Sequence, residues 1–395
     1  MRIGIVSEWF DRGASYVSWL YRETLVMQGH EVFIYARGDS DPLSSDRWVD
    51  PSVTVGVPCR VRYAKGIDKR DFLSWLRQRE LDWVLFNEQH WIPPVLWARE
   101  AGVRTAAYVD YYRLDTVADF QLYDLLICNT RRHLSAFPWH PNAVYVPWGT
   151  DTNQYRPSDG DINELTFFHS CGWSPERKGT VQAIRVWSEM ASESSRLVVH
   201  SQIDISDDLG RIGPQVQRLQ RDGALQIITE TVPPPGLYRL GHVYLYPTRL
   251  EGLGLSQYEA LSCGLPLIVP DDAPMNEVAT PQSCRLVPLS GRTRRKDGYY
   301  WQMNSIADVD LAEAISYYVD QVENRHQWRL ESRAHAQSHL DWYRNSSGLG
   351  ELLLNTDPIE VDMKYARRCM RHSSGRFSSA RSRAGTAVAK ALGSR

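Results

Sequence analysis

The sequence has no cysteine pair at CxxC spacing, although cysteines occur at positions 59, 128, 171, 263, 284 and 369. It also has no group of histidines at the spacing of metal ligands. Neither a disulfide framework nor a zinc site is therefore expected. Unpaired cysteines are typical of a reducing compartment. These absences predict a cytoplasmic protein.

Long apolar runs are missing as well. No stretch approaches the ~20 apolar residues that cross a bilayer. The opening run Met1-Arg-Ile-Gly-Ile-Val6 is too short for a signal peptide and is typical of a buried strand. No strand pattern is followed by a GxGxxG loop, which disfavours a nicotinamide dehydrogenase. We expect a cytoplasmic protein, either in solution or peripheral on the cytosolic face of a membrane.

Acidic residues are absent from the end of the chain. From Met363 to Arg395 there are nine Lys or Arg and no Asp or Glu, whereas the rest carries 36 basic against 47 acidic residues. An anionic membrane surface attracts such a tail by about 1 kcal/mol per charge near the lipid. A solvated tail without a partner is the alternative that composition leaves open. Nucleic acid is not an expected partner, because the acidic body would repel phosphates.

Short apolar runs alternate with helical patterns along most of the chain, which is typical of βα units. Continuous apolar runs such as Leu125-Leu-Ile-Cys128 predict parallel strands that are covered on both faces. A polar stretch at 158–164 interrupts this rhythm, which then restarts. The predicted fold class is α/β, with two Rossmann-like doubly wound domains facing a cleft.

The predicted domain boundaries follow from that interruption. Residues 1–157 form the N-terminal domain and residues 158–340 the C-terminal domain. Residues 341–357 form a terminal helix that packs back on the N-terminal domain, and residues 358–395 form a basic, flexible tail. Three successive helices are expected between positions 308 and 354.

The segment from Glu251 to Glu259 carries the strongest functional signal. It reads Glu-Gly-Leu-Gly-Leu-Ser-Gln-Tyr-Glu, follows a predicted strand at 242–246 and leads into a helix expected to open near Ser256. Gly252 and Gly254 let the backbone approach a ligand, and the amides at a helix start suit a diphosphate. Ser256-x-x-Glu259 is also a capping box, so a structural role stays open, but that role does not explain Glu251.

Four further stretches accompany this segment in a fixed order: Trp148-Gly-Thr-Asp151 with Tyr155-Arg-Pro157, Gly172-Trp-Ser-Pro-Glu-Arg-Lys178-Gly179, Ala273-Pro-Met-Asn-Glu277 and Asp341-Trp-Tyr-Arg344. Together the five motifs resemble those of the retaining nucleotide-sugar glycosyltransferases of family four, which have the GT-B fold. The resemblance covers roughly residues 1–356. It implies retaining transfer of a hexose-type sugar from a nucleotide-diphosphate donor to a hydroxyl acceptor, in the synthesis of cell-surface polysaccharide or glycoconjugate.

The resemblance also implies roles for individual residues. The N-terminal domain would bind the acceptor and the C-terminal domain the donor. Glu259 would accept hydrogen bonds from the ribose hydroxyls, and Glu251 would hold hydroxyls of the donor sugar. Lys178 would neutralise charge on the leaving diphosphate, a task that protein cations perform in this family, so neither metal nor cofactor is expected. The other donor-side positions are Gly13, Gly172, Arg177, Gly252, Leu253, Gly254, Leu255 and Ser256.

Two positions depart from the family pattern. Trp173 stands where the family has a phosphate-binding arginine, so either Arg177 takes over or Trp173 packs under the nucleotide. Asp110 (or its neighbour Val109) stands where many relatives have a histidine facing the donor sugar. Asp110 is counted with Glu251 and Lys178 as a catalytic candidate, and capping of a turn is its alternative role.

On the acceptor side the candidates are Arg12, His90 and Asp110. A structural histidine and a solvated arginine are the alternatives for His90 and Arg12. Asp-x-Asp strings at 39–41, 159–161 and 308–310 lie away from the motifs and are interpreted as solvated charge. Two rival functions stay open: a nucleotide-sugar epimerase of the same fold, and a non-catalytic sugar-nucleotide-binding subunit of a transferase complex.

Overall fold

The computed structural model describes residues 1–38, 48–59, 66–158, 160, 164–190 and 195–373. The chain divides into two compact units. Unit 1 comprises Met1–Pro147, Lys296–Tyr300 and the described part of Ser346–Arg395, and unit 2 comprises Trp148–Arg295 and Trp301–Asn345. Each contains one parallel sheet, which confirms two doubly wound α/β units. The chain first passes from unit 1 to unit 2 after Pro147, ten residues before the expected boundary at 157.

Unit 1 is built on a seven-stranded sheet in the order β3-β2-β1-β4-β5-β6-β7. All of its strand pairs are parallel. The strands are β1 (Arg2–Ser7), β2 (Glu31–Ala36), β3 (Val53–Val55), β4 (Trp83–Asn87), β5 (Arg104–Val109), β6 (Leu125–Cys128) and β7 (Ala143–Tyr145). The helices are α1 (Gly13–Met27), α2 (Lys69–Arg79), α3 (Pro93–Glu100), α4 (Arg131–Ser135), and, near the C-terminus, α12 (Leu349–Asn355) and α13 (Met363–Ser373).

Local sequence explains most of these elements. All five residues of β4 are buried, as expected for a parallel strand covered on both faces. Asp68 starts α2 by accepting hydrogen bonds from the amides of Arg70 and Asp71 at 2.9 and 3.0 Å. Strand β3 was not predicted, because three residues of intermediate and exposed character carry too little pattern.

The segment after α12 is fixed to unit 1. The amide of Ile359 donates to Asp124 Oδ1 at 3.1 Å, and its carbonyl accepts from Arg99 Nη2 at 2.8 Å. Helix α13 buries Ala366 and Cys369. Residues 358–373, expected to begin a flexible tail, are therefore packed, because a few well-spaced small and apolar side chains suffice to seat a short helix. The rest of that tail, 374–395, lies outside the described residues.

Unit 2 has a six-stranded parallel sheet in the order β10-β9-β8-β11-β12-β13 and an antiparallel hairpin, β14-β15. The strands are β8 (Leu165–Gly172), β9 (Ser195–Ser201), β10 (Leu225–Thr229), β11 (Val243–Leu245), β12 (Leu267–Pro270), β13 (Cys284–Val287), β14 (Leu289–Thr293) and β15 (Met303–Ile306). The helices are α5 (Thr180–Met190), α6 (Ser206–Leu209), α7 (Gly213–Arg221), α8 (Leu255–Ser262), α9 (Asp308–Asp320), α10 (Arg325–His339) and α11 (Trp342–Asn345).

The region 308–354 holds four helices (α9, α10, α11 and α12) instead of the three expected. The last expected helix is divided at the Ser346-Ser-Gly348 sequence, where the chain also passes from unit 2 to unit 1. Serine and glycine favour such a break, because serine competes for backbone hydrogen bonds and glycine gains little from helix formation.

Strand order gives each parallel sheet a topological switch point. The first strand of each unit, β1 or β8, pairs with the strand that follows it on one side and with β4 or β11 on the other. The crossover connections therefore diverge at these two positions. Ligands of doubly wound sheets bind at such switch points, beyond the carboxyl ends of the strands.

Asp124→Ala is expected to destabilise unit 1 by about 3 kcal/mol. The buried carboxylate accepts from the amide of Thr105 at 2.8 Å and its hydroxyl at 3.1 Å, and pairs with Arg99. Alanine leaves these donors without an acceptor. Denaturant unfolding measures the change, with Glu100→Ala on the exposed end of α3 as control. A loss below 1 kcal/mol would contradict the role given to this carboxylate.

Candidate functional site

Glu251 is the centre of the charged group at the switch point of unit 2. The side chain is buried on the loop after β11. Its Oε1 accepts from Arg177 Nη1 at 2.8 Å, Lys178 Nζ at 2.8 Å and Thr248 Oγ1 at 2.6 Å. Among the described residues, none donates a hydrogen bond to Oε2. Three donors thus hold one oxygen in place, and the other is available to a ligand.

Electrostatics keep this carboxylate charged. Burial raises the pKa of Glu251, but the charges of Arg177 and Lys178 and the hydrogen bonds from Lys178 and Thr248 outweigh it and lower the pKa to about 2. Burial lowers the pKa of Lys178, and the charge of Glu251 opposes that effect. The Lys178 ammonium also lies 4.6 Å from the centre of the Tyr246 ring and donates a hydrogen bond to the Tyr246 hydroxyl.

The two cations come from the loop between β8 and α5, which pairs with the loop after β11. Arg177 donates to the carbonyl of Leu250 at 2.7 Å, and the Arg249 amide donates to the carbonyl of Arg177 at 2.8 Å. Gly179 has a φ of +70°, and a Cβ there would lie 2.2 Å from the Pro247 carbonyl oxygen. Only glycine allows this approach, which explains the glycine after Lys178.

Helix α8 begins at Leu255, behind Gly254 with a φ of +77°. The amides of Leu255 and Ser256 are the first in the helix, so they have no partner within it and suit an anion. The capping box, the structural alternative for Ser256 and Glu259, does not form. Gly254 is the N-cap residue and no side chain caps the helix, because Ser256 already lies inside it. Gly252 and Leu253 complete the loop that precedes this start.

Glu259 lies one turn into α8 and accepts a hydrogen bond from the Tyr238 hydroxyl at 2.5 Å. Burial raises its pKa, and hydrogen bonds from Tyr238 and Tyr155 and the charge of Lys178 act in the opposite direction. Lys178 thus connects Glu259 electrostatically with the Glu251 group. Gly172 ends β8 with a φ of +54°, at the same edge of the sheet.

The sequence did not reveal four supporting residues. Thr248 and Tyr246 lie within the strand–loop segment before Glu251, but nothing in their spacing marked them as its partners. Tyr238 carried no signal, and Tyr155 belongs to one of the five motifs but was not linked to Glu259. Trp173 is 64% exposed, the one exposed tryptophan of the fourteen, all of which are described. Arg177, and not Trp173, contacts Glu251.

The acceptor-side candidates lie at the corresponding edge of unit 1. Arg12 precedes α1 and pairs with Glu8 after β1 and with Glu88 after β4, the latter at 3.3 Å. Gly13 is the first residue of α1 instead of part of a loop. Glu88 has a φ of +51°, a strained conformation for this residue type. Neither Glu8 nor Glu88 was singled out in the sequence.

His90 and Asp110 are joined through an aromatic stack. The exposed His90 ring lies 4.7 Å from that of Tyr111, which stacks on Tyr299 at 4.9 Å. The Tyr299 hydroxyl donates to the carbonyl of Asp110, just after β5, at 3.0 Å. Asp110 is thus held through its backbone at the carboxyl edge of the sheet.

The described residues contain no group of three or more His, Cys, Asp or Glu side chains arranged to hold a metal ion. Of the Asp-x-Asp strings, Asp308 pairs with Arg185 at 2.8 Å, whereas Asp39, Asp41, Asp159 and Asp161 lie outside the described residues. All six cysteines are free thiols. Within the same described ranges, no helix is both long and apolar enough to cross a membrane.

Comparison with known proteins identifies the fold. No protein-family model and no curated protein sequence matches the chain. Solved structures do: sucrose-phosphate synthase of Thermosynechococcus elongatus has a TM-score of 0.69 at 15% identity, over 89% of this chain and 97% of its own. HepE of Anabaena, in complex with UDP and glucose, has a TM-score of 0.70 at 14% identity, over 90% and 100%. The pneumococcal O-GlcNAc transferase GtfA, with UDP and GlcNAc, has 0.66 at 13%, over 90% and 99%. The chain has the two-domain fold of these glycosyltransferases.

Glu251→Gln should reduce stability in a pH-dependent way. The folded-state pKa of Glu251, about 2, lies below its usual value of 4.5. Its stabilising contribution is therefore complete above pH 4.5 and is lost as the pH falls towards 2. The difference in unfolding free energy between wild type and E251Q should shrink by about 3 kcal/mol across that window.

Urea unfolding from pH 7 to pH 2.5 measures this difference. The control is Glu176→Gln, since that side chain is 87% exposed. A wild-type-to-E251Q difference that stays constant with pH would contradict the lowered pKa.

Proposed function

We propose that the protein is a retaining glycosyltransferase that transfers a hexose-type sugar from a nucleotide-diphosphate donor to a hydroxyl acceptor. The observation that carries this proposal is the arrangement of Arg177, Lys178 and Glu251 at the switch point of unit 2, beside the start of α8. Two cations and free helix amides suit a diphosphate. A carboxylate with one open oxygen suits a sugar hydroxyl.

The donor is proposed to be a UDP-hexose. The structures of HepE were determined with UDP, with UDP and glucose, and with UDP-glucose, and that of GtfA with UDP and GlcNAc. In this chain, Glu259 would accept hydrogen bonds from the two ribose hydroxyls. Burial raises the pKa of Glu259, and these two donors would lower it again. The amides of Leu255 and Ser256 would bind the diphosphate.

In the proposed reaction, the protein stabilises the leaving nucleotide. Lys178 and Arg177 neutralise the negative charge that develops on the diphosphate as the glycosidic bond breaks. Glu251 Oε2 accepts a hydrogen bond from a hydroxyl of the donor sugar and so orients the ring. Oε1 is already held by three donors. The acceptor attacks from the face of the leaving group, and a phosphate oxygen takes its proton. The charge is supplied by protein cations, without a metal ion.

The acceptor is proposed to be handled by unit 1, through Arg12, His90 and Asp110. Hydroxyl acceptors include glycans and lipid-linked sugars of cell-surface polymers. A lipid-linked acceptor would agree with a cytoplasmic enzyme that docks on a membrane. Helix α13 supports such docking, because its buried side carries Ala366 and Cys369, whereas four basic side chains are exposed: Lys364, Arg367, Arg368 and Arg371.

Lys178→Ala and Glu259→Ala should each abolish or sharply reduce stabilisation by a UDP-sugar. A ligand at about 100 times its Kd stabilises a protein by about 2.7 kcal/mol, so wild type should melt at a clearly higher temperature. A thermal-shift panel of UDP-, GDP- and ADP-sugars measures the effect. The control is Glu189→Ala, an exposed glutamate on α5, which should respond as wild type does. Undiminished shifts in K178A and E259A would contradict the site.

Single-turnover assays separate the proposed transferase from its rivals. Transfer to an added acceptor supports a transferase, whereas conversion of donor alone identifies an epimerase. Binding without either reaction across a broad acceptor panel identifies a non-catalytic subunit. The exposed Trp173, in place of the family's arginine, is the feature that motivates this last arm.

Replacing the four exposed basic residues of α13 by glutamine should weaken binding to anionic vesicles. Each cation near an anionic surface contributes about 1 kcal/mol, so four replacements should lower the partition coefficient by about two to three orders of magnitude. Sedimentation with phosphatidylserine-containing vesicles measures binding, with phosphatidylcholine vesicles as control. Equal binding by the quadruple variant and wild type would exclude docking through α13.

A further inference from the structure

Four arginines line a crevice of unit 2 that has no role in the proposed reaction. The crevice is open to solvent, and its arginines are Arg156, Arg239, Arg325 and Arg329. Gly241 and His242, before β11, and Gly264 and Leu265, before β12, also line it. The crevice therefore lies at the amino edge of the sheet, opposite the edge that carries Glu251.

These four cations are not neutralised by the described part of the chain. No carboxylate is among the described lining residues, and no ion pair joins any of the four arginines to a described Asp or Glu. Arg329 donates to the carbonyl of Ser158, and Arg239 Nη1 donates to the carbonyl of Gly236 at 3.3 Å. Both acceptors are neutral, so neither removes positive charge from the crevice.

Helix α10 adds to the positive potential. Arg325 is its first residue, Arg329 follows one turn later on the same face, and both side chains are half-buried. The first turn contains no acidic residue, and no side chain caps the helix start. Like charges at this spacing repel each other, and the amino end of the helix dipole repels them too. An anion in the crevice would therefore relieve an electrostatic cost that the arginines and the helix start impose.

Arg333 shows what a structural arginine on the same helix face looks like. Its Nη1 donates to the carbonyls of Tyr155 and Ser262 at 2.9 and 2.8 Å. Arg325 makes no such contact within the described residues. Gly264 has a φ of +83°, and a Cβ there would lie 2.7 Å from Arg329 Cγ, so glycine is what lets Arg329 reach the crevice.

We propose that this crevice binds a phosphate group, either free or as the monoester of a small metabolite or a lipid headgroup. Guanidinium groups match the oxygens of a phosphate with paired hydrogen bonds, and a helix start adds its amides. The four arginines lie at the opposite edge of the sheet from Glu251, although Tyr238, which donates to Glu259, also lines the crevice. The proposal does not depend on the proposed transferase activity.

The test measures melting temperature in phosphate against chloride at matched ionic strength. Wild type should melt about 2–4 °C higher in phosphate. The Lys178→Ala variant should keep this rise, because its lesion lies in the donor site. The Arg325→Gln/Arg329→Gln variant should lose it. The matched control, Arg211→Gln/Arg218→Gln, makes the same change of charge elsewhere in unit 2 and should keep it.

Two further measurements distinguish a loss of phosphate binding from a loss of the folded state. In chloride, the single variant Arg325→Gln should melt no lower than wild type, because it removes a repulsion and keeps the bond from Arg329 to Ser158. Arg325→Gln alone, which leaves the bond from Arg329 to Ser158 intact, should weaken phosphate binding about tenfold by calorimetry.

Three results would overturn the proposal: no phosphate-specific rise in wild type, an equal rise in Arg325→Gln/Arg329→Gln, or a rise that requires Asp159→Asn/Asp161→Asn. The last would mean that the chain's own carboxylates neutralise the arginines. Phosphatidate vesicles identify the source of the phosphate. Binding that depends on Arg325 and Arg329 indicates a lipid phosphate, and binding of inorganic phosphate alone indicates a soluble one.

Discussion

The contact of Glu251 Oε1 with Arg177, Lys178 and Thr248 is the interaction on which the candidate donor site depends. A buried carboxylate alone would be protonated or expelled, and two buried cations alone would repel each other. Together they hold the loops after β8 and β11 in contact. The net positive charge that remains is the property that the binding of a diphosphate requires. The same bonds fix the orientation of the Glu251 carboxylate and therefore the position of Oε2.

The two edges of the unit 2 sheet handle positive charge in different ways. At the carboxyl edge, Glu251 offsets part of the charge of Arg177 and Lys178, so the site is stable before a ligand arrives. At the amino edge, Arg325 and Arg329 have no such partner among the described residues. A site without an internal counterion binds its anion with a larger gain in stability, since the ligand removes a repulsion that the free protein must tolerate.

The candidate residues of unit 1, Arg12 and His90, show why a motif match is weaker there. Arg12 is held by Glu8 and Glu88, and His90 by an aromatic stack with Tyr111. These contacts join residues that follow three different strands, β1, β4 and β5. Residues that follow different strands do not form a motif of constant spacing in the sequence. The pattern of the donor segment, by contrast, lies within one loop and one helix, where spacing and geometry are directly linked.

The sequence by itself determined the two-unit parallel α/β fold and the placement of the Glu251–Glu259 segment between β11 and α8. Continuous apolar strands and ordered motifs are properties of local sequence. In a doubly wound sheet, the carboxyl ends of the central strands lie together at the switch point. Tertiary structure decided the rest. The capping box did not form, because Gly254 took the N-cap position, and Glu259 turned to Tyr238. The order of α13 depended on contacts with Asp119. Such pairings join residues far apart in the chain, so only folding brings their charges and hydrogen-bonding groups within reach.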